Sequence, residues 1–198
     1  MLGYYLCFSA YGFWLPNDPR GSWSTAVWVP HLRRYGKATK VTTGRSLAHR
    51  RHDHARRLQA KTHLKYPAVQ LTGVQARAVG RGFSQILALL QLAAYACSIL
   101  PDHVHLVTGI HPHDGKTVIG FLKRAATRQL IAEGLHPLAQ YRRASGDLPS
   151  PWTAGGWVVY LDTEEQLRER IRYVEENPVR AGLRFQWWSF VSPFKGRK

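Results

Sequence analysis

Acidic residues are scarce in this chain: 12 Asp and Glu stand against 28 Lys and Arg among 198 residues, a formal net charge of +16. Such an excess disfavours cationic partners and points to a polyanion, with nucleic acid first. The cations are spread from Arg20 to Lys198, so they make a broad positive field and not a basic tail. Cysteine is nearly absent. Cys7 and Cys97 make no zinc motif, and both fall in segments of strand character, where they read as buried, reduced thiols. Long apolar runs are missing too, none reaching the ~18 residues of a membrane span. Met1-Leu2-Gly3-Tyr4-Tyr5 lacks the charged start and apolar block of a secretory signal. We therefore expect a cytoplasmic protein with no membrane partner.

The length suits one domain over residues 1–198, with a basic insertion around 27–65 and a C-terminal tail at 183–198. Tyr4 to Tyr11 reads as a short aromatic strand, followed by a loop dense in Gly, Pro, Asn and Asp from Gly12 to Gly21. Trp14 and Phe13 in that loop suit either loop packing or stacking on unpaired bases. The insertion is rich in cations and poor in apolar period, with a helix expected over 46–60. Its His49, His52, His54 and His63 match no recognised zinc spacing.

Two amphipathic helices follow. Gln75 to Ala94 carries Val79, Phe83, Ile86, Leu87 and Leu90 at helical spacing. Thr117 to Glu133 has Val118, Leu122, Ala125 and Ala126 on a core side, with Lys123, Arg124 and Arg128 off it. Those cations suit a solvated face or phosphate contacts. Between the helices, Tyr95 to Gly109 reads as two short strands joined at Pro101. Alternation along a strand puts His103 and His105 on one face and Val104 and Leu106 on the other. Two neighbouring imidazoles form a two-ligand metal platform with positions left for a third protein group, substrate and water. The alternative is that both merely decorate a half-exposed strand.

Trp157 to Leu161 is a further strand, and the last helix starts at Asp162 or Thr163, with Glu164 and Glu165 favouring its dipole. Pro178 is expected to end it at Asn177, and Gly182 to close the turn. Leu167, Ile171 and Val174 form a narrow apolar stripe. Tyr173 and Asn177 lie one turn apart on one face, with Arg170 near them. A surface tyrosine and a C-terminal cap would also explain that pair.

Pro101-Asp102-His103-Val104-His105-Leu106, followed later by Tyr173-Val174-Glu175-Glu176-Asn177-Pro178-Val179-Arg180-Ala181-Gly182-Leu183, resembles the REP-associated tyrosine transposases, within the single-tyrosine HUH transposase superfamily. The segment from Tyr11 to Gly21 also resembles a subgroup of them. The resemblance implies a ferredoxin-like α+β fold, an antiparallel sheet with helices packed on one face. It implies Tyr173 as nucleophile, His103 and His105 as metal ligands, Asn177 as a third ligand, and Mg²⁺ or Mn²⁺ as cofactor. The implied substrate is single-stranded DNA beside a hairpin (palindromic) element, cleaved and rejoined through a 5′-phosphotyrosine by a monomer or homodimer. Lys123, Arg124, Arg128, Arg170, Trp14 and Arg20 are the candidate DNA contacts.

A non-catalytic or domesticated nucleic-acid-binding protein on the same fold is the main alternative, and an RNA nuclease using the histidines as acid and base is another. Tyr173 beside an intact His pair favours the first reading. All three require a polyanion, so affinity for single-stranded DNA should fall steeply with salt. Each neutralised phosphate contributes a log-log slope of about −0.7, and four contacts about −2.8. Fluorescence anisotropy across a roughly tenfold salt range measures this, and a flat line would exclude a polyanion partner.

Overall fold

The computed structural model describes residues 1–18, 26–27, 29–38 and 53–196. Strands β1 (Gly3–Ser9), β2 (Ala94–Ile99), β3 (His103–Gly109) and β4 (Trp157–Leu161) form one antiparallel sheet in the order β2-β3-β1-β4. Helix α1 (His54–Thr62) belongs to the insertion, and α2 (Gly73–Leu89), α3 (Gly115–Ala132) and α4 (Glu164–Arg180) belong to the sheet. The β1-to-β2 connection carries α2 and the β3-to-β4 connection carries α3, and each joined pair is split by one strand of the other pair. That is the ferredoxin-like α+β topology.

Alternation decides which helix covers which face. Tyr4, Leu6 and Phe8 of β1 and Val104 and Leu106 of β3 join Val79, Phe83, Ile86 and Leu87 of α2 and Val118, Leu122 and Ala126 of α3 in the main core. Leu6, Phe83, Leu106 and Leu122 are fully buried there, and burying each such side chain stabilises the fold by about 1.5–3 kcal/mol. Tyr5, Ala96 and Val107 point the other way, into a smaller cluster with Leu161, Leu167 and Val174. The expectation of helices on one face therefore holds for α2 and α3 but not for α4. The apolar stripe of α4 covers the second face, chiefly over β2 and β3, because the sheet has apolar residues on both sides.

Several boundaries differ from the sequence expectation for local reasons. β1 stops at Ser9, and Ala10 keeps only an isolated bridge to Trp152. Helix α2 starts at Gly73 because Thr72 and Gln75 form a reciprocal capping box. It ends at Leu89, and Gln91 at φ 51° turns the chain into β2. Helix α4 runs through Pro178 to Arg180. The proline removes only the bond its own N–H would have made. Beyond it, Ala181 N–H donates to Asn177 O (3.0 Å) and Leu183 N–H to Pro178 O (2.8 Å). Gly182, at φ 73°, closes the turn as expected.

Of the helix expected over 46–60, the described part begins at His54, capped by Asp53, and runs to Thr62; residues 39–52, with His49 and His52, lie outside the described residues. Leu32, Tyr35 and Ala60 pack with Leu15 into a third small core. Asp18, buried, pairs with Arg57 at 3.3 Å. The C-terminal tail docks along the outer edge of β2. There the Gln186 amide donates to Ile99 O and accepts from Ile99 N–H, both at 2.8 Å, and Ser192 N–H donates to Ala94 O at 2.9 Å. No helix among the described residues is long and apolar enough to cross a membrane.

Two glycines on α2 permit these contacts. A Cβ on Gly80 would meet the Trp188 ring at 2.3 Å, and one on Gly82 would meet the Ala125 carbonyl of α3 at 2.8 Å. Backbone cannot yield as a flexible side chain does. Gly82→Val should therefore destabilise the fold by about 1–3 kcal/mol, as overpacking of a tight crossing does, read as a lower urea midpoint at unchanged slope.

Candidate active site

The β1/β3 register builds the site. His103 lies opposite Ser9, and His105 lies opposite Cys7 on one side and Ser98 of β2 on the other. Both imidazoles emerge on the α4 face, as alternation requires, with ring centroids 4.7 Å apart. His105 is 5% exposed, and His103 is half-buried beneath the Phe13 ring, 5.2 Å away. Helix α4 brings Tyr173 over them. Its ring lies edge-on to His105 at 5.7 Å and to Tyr5 at 6.2 Å. Tyr173 packs against the smaller core as a half-buried residue. The Arg170 guanidinium lies 5.3 Å from the Tyr5 ring centroid and 5.9 Å from that of Tyr173.

Each imidazole is held through Nδ1. His103 Nδ1–H donates to Asp102 Oδ1 at 2.6 Å, and His105 Nδ1 lies 2.7 Å from the Tyr5 hydroxyl. Burial pushes the His105 pKa well below its ordinary value, with His103 and Arg170 adding to the effect, so the ring is neutral. Burial likewise raises the Tyr5 hydroxyl, helped by Cys7 and Tyr173 and opposed by Arg170, so it keeps its proton. Cys7, beside His105, is pushed up to about 12 by burial. The thiol is free and inert, though half-buried and not fully buried like Cys97.

These residues fit a divalent cation. Neutral imidazoles ligate through one nitrogen while the other hydrogen-bonds to a carboxylate or similar group, which fixes tautomer and orientation. Asp102 on His103 and Tyr5 on His105 are such partners. Ser9 and Ser98 flank the pair by register, and their Oγ atoms are buried without a hydrogen-bond partner among the described residues, as is Asn177 Nδ2 on α4. Buried polar groups are rarely orphaned unless an ion, water or ligand completes them. Asn177 sits one turn past Tyr173, and a half-turn about χ2 presents its amide oxygen instead of its nitrogen. Among the described residues no group of three or more His, Cys, Asp or Glu side chains is placed to hold a metal.

The remaining candidates divide. Lys123 donates to the carbonyls of Thr153 (2.7 Å) and Gly155, and burial lowers its pKa to about 8. It ties α3 to the loop before β4 and has little left for phosphate. Arg124 and Arg128 are exposed beside an open cavity of about 300 Å³ that Thr127, Ser150 and Trp152 also line. Trp14 packs edge-on against Phe13 at 4.7 Å, so the aromatic that reaches the His pair is Phe13. Arg20 lies outside the described residues. Sequence reasoning missed Tyr5, Asp102 and the two serines. Asp102 stands next to His103 in the motif, but Tyr5, Ser9 and Ser98 become neighbours only through strand register.

No protein-family model and no curated protein matches the sequence. Two of the solved structures similar to it are transposases by description. One is a REP-associated tyrosine transposase bound to a REP hairpin, at 19% identity over 60% of this chain and 64% of that chain, with a TM-score of 0.44. The chain thus spans a little under two thirds of that protein's length. The other, from Deinococcus radiodurans R1, is described as a candidate transposase; the match covers 88% of each chain at 16% identity, with a TM-score of 0.36.

Because His105 is held neutral, the metal-free protein should lose stability in acid. The unfolded chain binds a proton near pH 6.5 that the folded site refuses until well below it. Stability is therefore full above that value and falls as pH drops beneath it, by at most about 1.4 kcal/mol per pH unit for one such group. Urea unfolding at a series of pH values reads the slope. His105→Gln should flatten it, leaving the smaller share of His136, which burial and Arg142 also hold below the usual range.

Proposed function

We propose that the protein is a metal-dependent single-stranded DNA transposase or endonuclease that cleaves and rejoins DNA beside a hairpin through a 5′-phosphotyrosine on Tyr173. The observation that carries this reading is the meeting of Tyr173 with His105 at 5.7 Å, and of His105 with His103 at 4.7 Å, on one buried patch of the sheet. A phenol beside two imidazoles puts a nucleophile and a pair of metal ligands in one place, which suits phosphoryl transfer to tyrosine better than hydrolysis by water.

His103 and His105, through Nε2, and Asn177, through its amide oxygen, would hold Mg²⁺ or Mn²⁺. When bound, such an ion polarises the phosphodiester and neutralises charge that develops on its oxygens. The protein's own groups do the rest. Tyr173 Oη attacks phosphorus, the Oη–P bond forms as the P–O3′ bond breaks, and the departing 3′ oxygen takes up a proton as the phenol loses one. Arg170, whose guanidinium lies beside the Tyr173 ring, offers a positive partner for the phosphate. The covalent link conserves the phosphodiester for rejoining. Arg124, Arg128 and the Trp152 cavity supply phosphate contacts for DNA leading to the site, and Phe13 offers a face for an unpaired base.

The test uses labelled single-stranded DNA carrying a hairpin, incubated with the protein and Mg²⁺. A covalent adduct should form, map to Tyr173 by peptide mass spectrometry, and vanish in Tyr173→Phe. His103→Ala, His105→Ala or EDTA should abolish it while leaving DNA affinity within about threefold, since phosphate contacts elsewhere dominate binding. Binding without adduct would favour the non-catalytic alternative. An adduct in EDTA would remove the metal from the reading, and an adduct on another tyrosine would remove Tyr173.

A further inference from the structure

Tyr5 lies on the central strand, 6% exposed, with its hydroxyl 2.7 Å from Nδ1 of a candidate metal ligand, His105, and its ring edge-on to that of the candidate nucleophile, Tyr173. A phenol has one proton to give and lone pairs to receive. If Tyr5 gave that proton to His105 Nδ1, the imidazole's own proton would sit on Nε2, and the ring could neither ligate a cation nor accept a hydrogen bond from substrate there. If Tyr5 instead accepts Nδ1–H, the Nε2 lone pair is exposed to the site and the Tyr5 proton is released for another acceptor. Tyr173, whose ring packs edge-on against that of Tyr5 at 6.2 Å, is the neighbouring hydroxyl that can take it.

We propose that Tyr5 is a positioning residue of the site: its hydroxyl accepts a hydrogen bond from His105 Nδ1–H and donates one to Tyr173 Oη, setting the tautomer of the first and the place of the second. One buried hydroxyl thereby couples the two halves of the site. The β1/β3 pairing carries His105, and α4 carries Tyr173, so Tyr5 is the side chain through which sheet and helix register with each other. This inference rests on the proposed function for its consequence, while the tautomer itself is independent of that function.

Long-range ¹H–¹⁵N correlation of histidine-labelled, metal-free protein above neutral pH reads the tautomer directly. His105 should carry its proton on Nδ1 with an unprotonated Nε2, and Tyr5→Phe should lose that preference. A purely packing role for Tyr5 would leave the signature unmoved. Mn²⁺ titration followed by electron paramagnetic resonance, without DNA, should show affinity weakened about tenfold or more in Tyr5→Phe, as loss of an outer-sphere partner does. The rate of adduct formation should fall along with it. A wild-type His105 protonated on Nε2, or an unchanged Mn²⁺ affinity in Tyr5→Phe, overturns the proposal. If wild-type protein binds no Mn²⁺ and forms no adduct, the functional reading fails, and the tautomer still decides the role of Tyr5. Should Tyr5→Phe not fold, the wild-type spectrum alone decides: a proton on Nδ1 supports the proposal and a proton on Nε2 overturns it.

Discussion

The antiparallel pairing of β1 with β3 is the constraint on which everything else depends. It sets Cys7 against His105 and Ser9 against His103, and through the pleat it sends Val104 and Leu106 into the main core while the histidines face α4. Side-chain direction has a period of two, so a slip of one residue in β3 would exchange the two sets. It would bury imidazoles under α2 and α3 and expose the fully buried Val104 and Leu106. The apolar alternation that stabilises the core is therefore the same device that aims the site. Stability and site geometry are one property of this register.

The second face of the sheet shows why the site is where it is. Two helices fill one side and leave the other to α4 alone, which lies mainly over β2 and β3. Leu167 and Val174 anchor that helix, and both are fully buried. Tyr173 immediately precedes Val174, so the anchor that seats the helix also seats the phenol beside His105. A core residue and a chemical one are neighbours in sequence because a helix turns only about 100° per residue.

Much of this is legible from the residues. The alternation at 103–107 fixes the face of the His pair, the spacing along 79–90 marks α2, and Thr163 with Glu164 and Glu165 marks the start of α4. Other features are not legible, because they depend on elements far apart in the chain. Tyr5 looks like one aromatic among several in β1 until β3 lies beside it. Lys123 looks like a solvated cation until the loop at 153–155 supplies its carbonyls. Pro178 looks like a helix end, yet a proline in the last turn costs only one hydrogen bond and the turn beyond it closes normally. The face chosen by α4 depends on a competition between two surfaces of the sheet, which no local pattern records.

The Gln186 amide, hydrogen-bonded to both the N–H and the C=O of Ile99, acts as a single peptide group of a strand that is not there. An open edge strand invites a second chain to continue the sheet, the usual start of unwanted aggregation and of some dimers. At Ile99 both groups that such a chain would need are already satisfied, and at Ala94 the backbone of Ser192 takes the carbonyl in the same way. With its tail docked, the protein cannot extend its sheet through β2. Continuing the sheet into a second copy is thus left to the opposite edge, β4, and crowding many molecules along one polyanion does not by itself zip their sheets together through β2.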